Sequence, residues 1–179
     1  DFSGASVTVD GGVRTILAET AAATILLNSG TVNAQDAGVD GLSLEVDQGG
    51  TITLGVVGAT RLDSLTIVDE AANTTALNIG GNISTEDGAV DLSGADTIDV
   101  TGAATIDVSS AAAGAKSDVT FADAARLTSS NGSTFAIDAT GGTDGDVNLP
   151  AIGGGGNPVG SLTVTTTGNV DVTGDITAT

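Results

Sequence analysis

Short runs in which every second residue is apolar recur along the whole chain. Ser6-Val-Thr-Val9, Leu42-Ser-Leu-Glu-Val46, Thr51-Ile-Thr-Leu54, Ser64-Leu-Thr-Ile-Val68, Ala76-Leu-Asn-Ile79, Thr97-Ile-Asp-Val100, Thr105-Ile-Asp-Val108, Ser161-Leu-Thr-Val164 and Val170-Asp-Val172 all set Val, Ile or Leu against Thr, Ser, Asn or Asp. Successive side chains of a β-strand point to opposite faces, so this period predicts short strands with one dry and one wet face. Gly11-Gly12, Gly49-Gly50, Gly80-Gly81, Asp87-Gly88, Asn131-Gly132, Gly141-Gly142 and the segment 153–157 separate the runs and supply turn residues. Helix is poorly supported. The Ala-rich stretches 19–25 and 111–115 offer at most one turn, because neither sustains a period of 3.6.

The chain also echoes itself. Asp1-Phe-Ser-Gly-Ala5 returns as Asp91-Leu-Ser-Gly-Ala95, and Thr15-Ile16 as Thr105-Ile106, both at an offset of 90. Ser64-Leu-Thr-Ile67 returns as Ser161-Leu-Thr-Val164 and Gly81-Asn-Ile-Ser84 as Gly174-Asp-Ile-Thr177, with offsets of 97 and 93. Small loop insertions between strands of fixed length produce such drift. The echo predicts two copies of one unit, residues 1–90 and 91–179, within one continuous array.

Two all-β architectures accommodate such strands: a parallel β-solenoid of stacked coils, or an antiparallel β-sandwich. Spacing favours the solenoid. Leu44 to Ile52 is 8 residues, Ile52 to Leu65 is 13 and Leu65 to Leu77 is 12, so short faces joined at glycine corners would close coils of roughly 20 to 25 residues. Eight or so coils would then stack to about 40 Å at ~4.8 Å each. Composition agrees, since Phe2, Phe121 and Phe135 are the entire aromatic stock. A narrow interior filled by Val, Ile, Leu and Ala needs no larger side chain.

Charge and missing residue types narrow the function. Asp and Glu number 23 against four basic residues, Arg14, Arg61, Lys116 and Arg126, for a net charge of −19. Nucleic-acid binding and attraction to an anionic bilayer both require clustered Lys and Arg, which are absent. No apolar run approaches the ~18 residues of a membrane-spanning helix. The chain has no Cys, His, Trp, Tyr or Met. That excludes His- or Cys-based nucleophilic catalysis, His/Cys zinc sites, haem or cluster ligation, and disulfides. Mean hydropathy of +0.27 argues against disorder. The avoidance of oxidisable side chains fits a secreted protein, and the opening at Asp1 fits a mature chain or a piece of a longer one.

The order Leu42-Ser-Leu, Gly50-Thr-Ile-Thr-Leu-Gly55, Val57-Gly-Ala-Thr-Arg-Leu-Asp-Ser-Leu-Thr-Ile67, Leu77-Asn-Ile-Gly-Gly-Asn-Ile-Ser-Thr85 and Asp87-Gly-Ala-Val-Asp-Leu92 resembles the β-strand repeats of filamentous-haemagglutinin-type surface proteins. It recurs loosely from Phe135 through Gly145-Asp-Val-Asn-Leu149, Gly160-Ser-Leu-Thr-Val164 and Thr173-Gly-Asp-Ile-Thr177, covering most of the chain. The resemblance implies a right-handed parallel β-helix, export across a bacterial outer membrane, and a role as fibre, adhesin or stalk.

Candidate chemistry is sparse. Glu86-Asp87, Asp144 with Asp146, and Asp69-Glu70 are carboxylate pairs, yet a glycosidase would also stack sugar rings on Trp or Tyr, and a solvated turn explains them better. Segment 153–156 lacks the Lys-Ser/Thr ending of a phosphate loop. The hard oxygens of Glu86, Asp87, Asp144 and Asp146 make them weak calcium candidates, without an EF-hand or nonapeptide pattern to support them. The pairs Thr51/Thr53, Thr163/Thr165, Thr165/Thr167 and Thr177/Thr179 raise an ice-binding hydroxyl array, although Thr is also simply a good polar strand residue.

The sequence therefore predicts a non-enzymatic, extracellular structural or adhesive segment of a bacterial surface fibre. Such a segment would need no cofactor and would self-associate head to tail into filaments through stacked β-coils, with a cell-surface receptor or matrix as a further partner and no membrane insertion. The alternative is a β-sandwich module of an S-layer or adhesin whose assembly depends on calcium.

Overall fold

The computed structural model describes residues 4–47, 49–69, 74–86, 88–109 and 117–177. All of its regular structure is β, and every pairing between its strands is parallel. The chain winds as a parallel β-helix over three faces, and the antiparallel sandwich is thereby set aside.

The first face begins with Val7–Val9 and continues through 31–34, 56–62, Ile83–Thr85, Ala104–Asp107, Thr134–Ala139 and Ser161–Thr166. The second is a seven-stranded sheet running Arg14–Ala18, Leu42–Val46, Leu65–Asp69, Val90–Leu92, Val119–Phe121, Val147–Leu149 and Val170–Val172. The third holds 24–27, 51–54, Ala76–Ile79, Thr97–Val100, Arg126–Thr128 and Ala151–Ile152, and ends on the bridge from Ile152 to Ile176. The strands Thr24–Ala34 and Thr51–Leu62 each turn a corner between the third and first faces. Paired positions on the second face, 14, 42, 65, 90, 119, 147 and 170, give coils of 28, 23, 25, 29, 28 and 23 residues by subtraction. Coils are thus longer than the spacing alone suggested. Seven passes over each face span ~34 Å at ~4.8 Å each, less than eight coils would give.

Register converts the period-two pattern into columns. On the third face Ile25, Ile52, Leu77, Ile98, Leu127 and Ile152 pair in series and are all buried. On the first, Val32, Val57, Ile83, Ile106 and Ile137 do the same. Each buried aliphatic side chain contributes about 1.5–3 kcal/mol by leaving water, and column stacking lets similar branched shapes nest between coils. Phe121 and Phe135 are fully buried in the same core, while Phe2 lies outside the described residues.

The long echo acquires a geometric meaning. Leu65 stands on the second face and Leu162 on the first; Ile83 stands on the first and Ile176 on the third. Each echo therefore advances three coils and two further faces, so similar phrases line different faces of one spiral. The strand Val90–Leu92 crosses the junction of the two copies without a break in pairing. The Ala-rich stretch 19–25 is a turn with Ala22 at φ 55° leading into the strand from Thr24, and 111–115 lies outside the described residues.

Candidate functional site

Parallel stacking leaves loop amides at each corner, and short polar side chains satisfy them from the neighbouring coil. Asp118 accepts the Asp146 amide at 3.0 Å, and Asp146 in turn accepts the Asn169 amide at 2.7 Å. These residues immediately precede Val119, Val147 and Val170 on the second face. Asn82 accepts the Thr105 amide at 3.0 Å, Asp96 the Thr75 amide at 2.7 Å and Asp99 the Ser130 amide at 2.7 Å. Asp96, Asp99, Asp118 and Asp146 thus link successive coils.

Two carboxylates carry the strongest local constraints. Asp40 is buried, accepts the Gly12 amide at 2.8 Å and the Asp36 amide at 3.0 Å, and its carbonyl accepts the Asp63 amide at 2.8 Å. It ties three successive coils at one corner. The Asp36 amide first, and then that of Gly12, hold its carboxyl below the ordinary value. Asp107 meets Arg61 at 2.5 Å, while Arg61 also donates to the Thr85 and Asp107 carbonyls at 2.9 and 3.2 Å. Partial burial raises the Asp107 pKa, but the Ser109 hydroxyl and amide together with Arg61 outweigh it and lower the net value.

A depressed carboxyl stabilises the fold above its ordinary value near pH ~4, and that contribution disappears as pH falls through the lower folded-state value. Unfolding free energy should accordingly fall as the pH drops from about 5 through the ordinary carboxylate value and below it. Asp107→Asn should remove up to about 1 kcal/mol at neutral pH and flatten part of the acid slope. Denaturant titrations in which the variant follows the wild-type slope would contradict this role for Asp107.

The calcium candidates do not converge. Glu86 follows Ile83–Thr85, whereas Asp144 and Asp146 precede Val147–Leu149, two coils further along. Asp144 and Asp146 are exposed, and Asp146 is committed to Asn169. Asp87 and Glu70 lie outside the described residues. Among the described residues no three Asp or Glu gather where they could hold a metal ion. Hydroxyl columns are interrupted as well. Thr24 and Thr51 are followed by Ala76, Thr97, Arg126 and Ala151, and Thr163 pairs with Ala136. Segment 153–156 has every glycine at positive φ, and the Gly153 carbonyl accepts Arg126 at 2.8 Å.

The last described coil presents the inner column itself. Val170, Val172 and Ile176, in register with Val147, Leu149 and Ile152, are 47%, 38% and 64% exposed. Beside them Ile152, Val159, Leu162 and Ile176 line a cleft of about 350 Å³. On the opposite coil the column through Leu42 is occupied by Arg14, which turns its Nε to the Asp10 carbonyl at 2.7 Å. The two coils differ in chemistry: one presents aliphatic side chains, the other an exposed cation at the same register position. Sequence reading missed Arg61, Asp107 and Asp40. A signal existed for Asp107: Asp107-Val-Ser109 and Asp138-Ala-Thr140 both place a carboxylate two residues before a hydroxyl that donates to it.

No protein-family model, curated protein or solved structure matches this chain. The likeness to filamentous-haemagglutinin-type repeats therefore rests on the residue order alone.

Proposed function

We propose that this chain is an extracellular structural or adhesive repeat segment of a bacterial surface fibre, extended by end-to-end stacking of β-coils. The observation that carries this reading is the exposed continuation of the inner column at Val170, Val172 and Ile176. A further coil in the same register would bury those side chains and pair the strand edges, as every internal coil does for its neighbour. Head-to-tail contacts of this kind propagate as filaments because nothing in them closes a ring. The role is mechanical, without turnover, and the resemblance in strand order supports placement at a bacterial cell surface.

Charge should regulate such stacking. Each chain carries −19, and chains brought end to end repel until ions screen them over a Debye length of ~8–10 Å. Sedimentation velocity should show longer species as NaCl or a divalent salt is added, with the melting temperature rising in parallel. A monomer at every concentration and ionic strength would overturn the stacking reading. A large response to micromolar calcium alone would favour a specific ion site over diffuse screening.

A further inference from the structure

Asn131-Gly132 is the one Asn-Gly dipeptide in the sequence, and it sits at an exposed turn between Arg126–Thr128 and Thr134–Ala139. Gly132 has φ 68°, with open space where a Cβ would stand. The Asn131 side chain is nevertheless firmly placed. Its Nδ2 donates to the Thr101 carbonyl at 2.7 Å, linking the turn to the preceding coil. Its Oδ1 lies 3.1 Å from the Ser133 amide, in close contact with the Ser133 hydroxyl, and 3.0 Å from Ser129 Oγ. Ser129 has one hydroxyl proton, which goes to the Val100 carbonyl at 2.8 Å. The Ser133 amide donates chiefly to Ser129 Oγ at 2.7 Å and only at 3.1 Å to Oδ1, so the Ser133 hydroxyl is the main donor to Oδ1.

We propose that Asn131 is a self-modification site at which the folded chain converts an amide into a carboxylate and loosens one link between coils. In the first step hydroxide removes the Gly132 amide proton and the nitrogen attacks Asn131 Cγ, forming a C–N bond. The electron pair of the C=O bond moves to Oδ1, where the Ser133 hydroxyl, with a weaker share from the Ser133 amide, stabilises the developing negative charge. The tetrahedral centre collapses, the Cγ–Nδ2 bond breaks, and ammonia departs with a proton from water. Water then adds to one carbonyl of the five-membered imide and the bond from that carbon to the Gly132 nitrogen breaks, the nitrogen taking up a proton, which gives aspartate when the carbon is Cγ and isoaspartate when it is the backbone carbonyl carbon. No oxidant or reductant is needed. The product presents a carboxylate oxygen to the Thr101 carbonyl in place of an N–H, so an attraction between coils becomes a repulsion, and the net charge grows by one negative unit.

The test follows intact mass and peptide maps of the folded protein held at about pH 8.5, where hydroxide drives imide formation. The expected result is a gain of one mass unit confined to the peptide containing Asn131, with isoaspartate detected there and Asn28 and Asn82 unchanged. Ser133→Ala should slow the conversion by about tenfold, an order below the ~10²-fold loss typical when an oxyanion donor is removed from a site shielded from water. Asn131→Asp should reproduce the change in amide exchange at Thr105 and neighbouring corner residues seen in aged wild type. Retention of Asn131 in the folded chain, or equal rates in wild type and Ser133→Ala with both folded by circular dichroism, would overturn the proposal.

Discussion

Leu65→Asp should cost at least ~3 kcal/mol and abolish cooperative folding under conditions where Thr66→Asp leaves the melting temperature nearly unchanged. Leu65 is fully buried between the aliphatic side chains of Leu42 and Val90, its two neighbours in the column of the second face. Thr66, one residue on, faces outward between Ser43 and Asp91. The same change at Leu162 should be milder, although the strand phrases around the two leucines match. Leu162 is only partly buried on the outermost described strand of the first face, where an aspartate could turn into solvent. Equal destabilisation of Leu65→Asp and Leu162→Asp in denaturant titrations would contradict the assigned depths.

Gly58→Ala should be comparably damaging, by about 3 kcal/mol, for a reason that hydrophobicity does not capture. Gly58 lies in the corner where Thr51–Leu62 slips its register against Ile83–Thr85, at φ 78°. A Cβ there would drive into the Ser84 carbonyl oxygen. Ser84 cannot retreat without disturbing its pairing with Asp107, which Arg61 also holds. Gly132→Ala makes the comparison. Its φ is likewise positive at 68°, but the space around it is open, so only the backbone term of ~1–2 kcal/mol remains. Similar losses in the two variants would show that strain, rather than close approach of coils, dominates the corners.

The fold was legible wherever a strand is long enough to alternate. Leu42–Val46, Ala76–Ile79 and Thr97–Val100 coincide with runs read directly from residue order. Strands such as Val119–Phe121, Arg126–Thr128 and Ala151–Ile152 place just one or two side chains inward, too few to establish a period. The segment 24–27 failed differently: Leu26 points outward from Thr-Ile-Leu-Leu, so the alternation is masked by an apolar residue on the wet side. Parallel pairing could be argued from coil spacing, but three faces could not, because corners depend on particular glycines and on strands that bend without a turn. The polar groups binding one coil to the next were illegible for a related reason. Arg61 and Asp107 are 46 residues apart, and only the coil lengths between them bring them together.

The central claim is that the stacking which builds one chain continues from chain to chain. Electron cryomicroscopy of the purified 179-residue protein at rising concentration and salt tests it most directly. The account predicts unbranched filaments of constant width, with strands perpendicular to the axis at ~4.8 Å and lengths growing in steps of ~34 Å. Particles that remain one chain long, or that grow by widening while the axial length stays fixed, would contradict it.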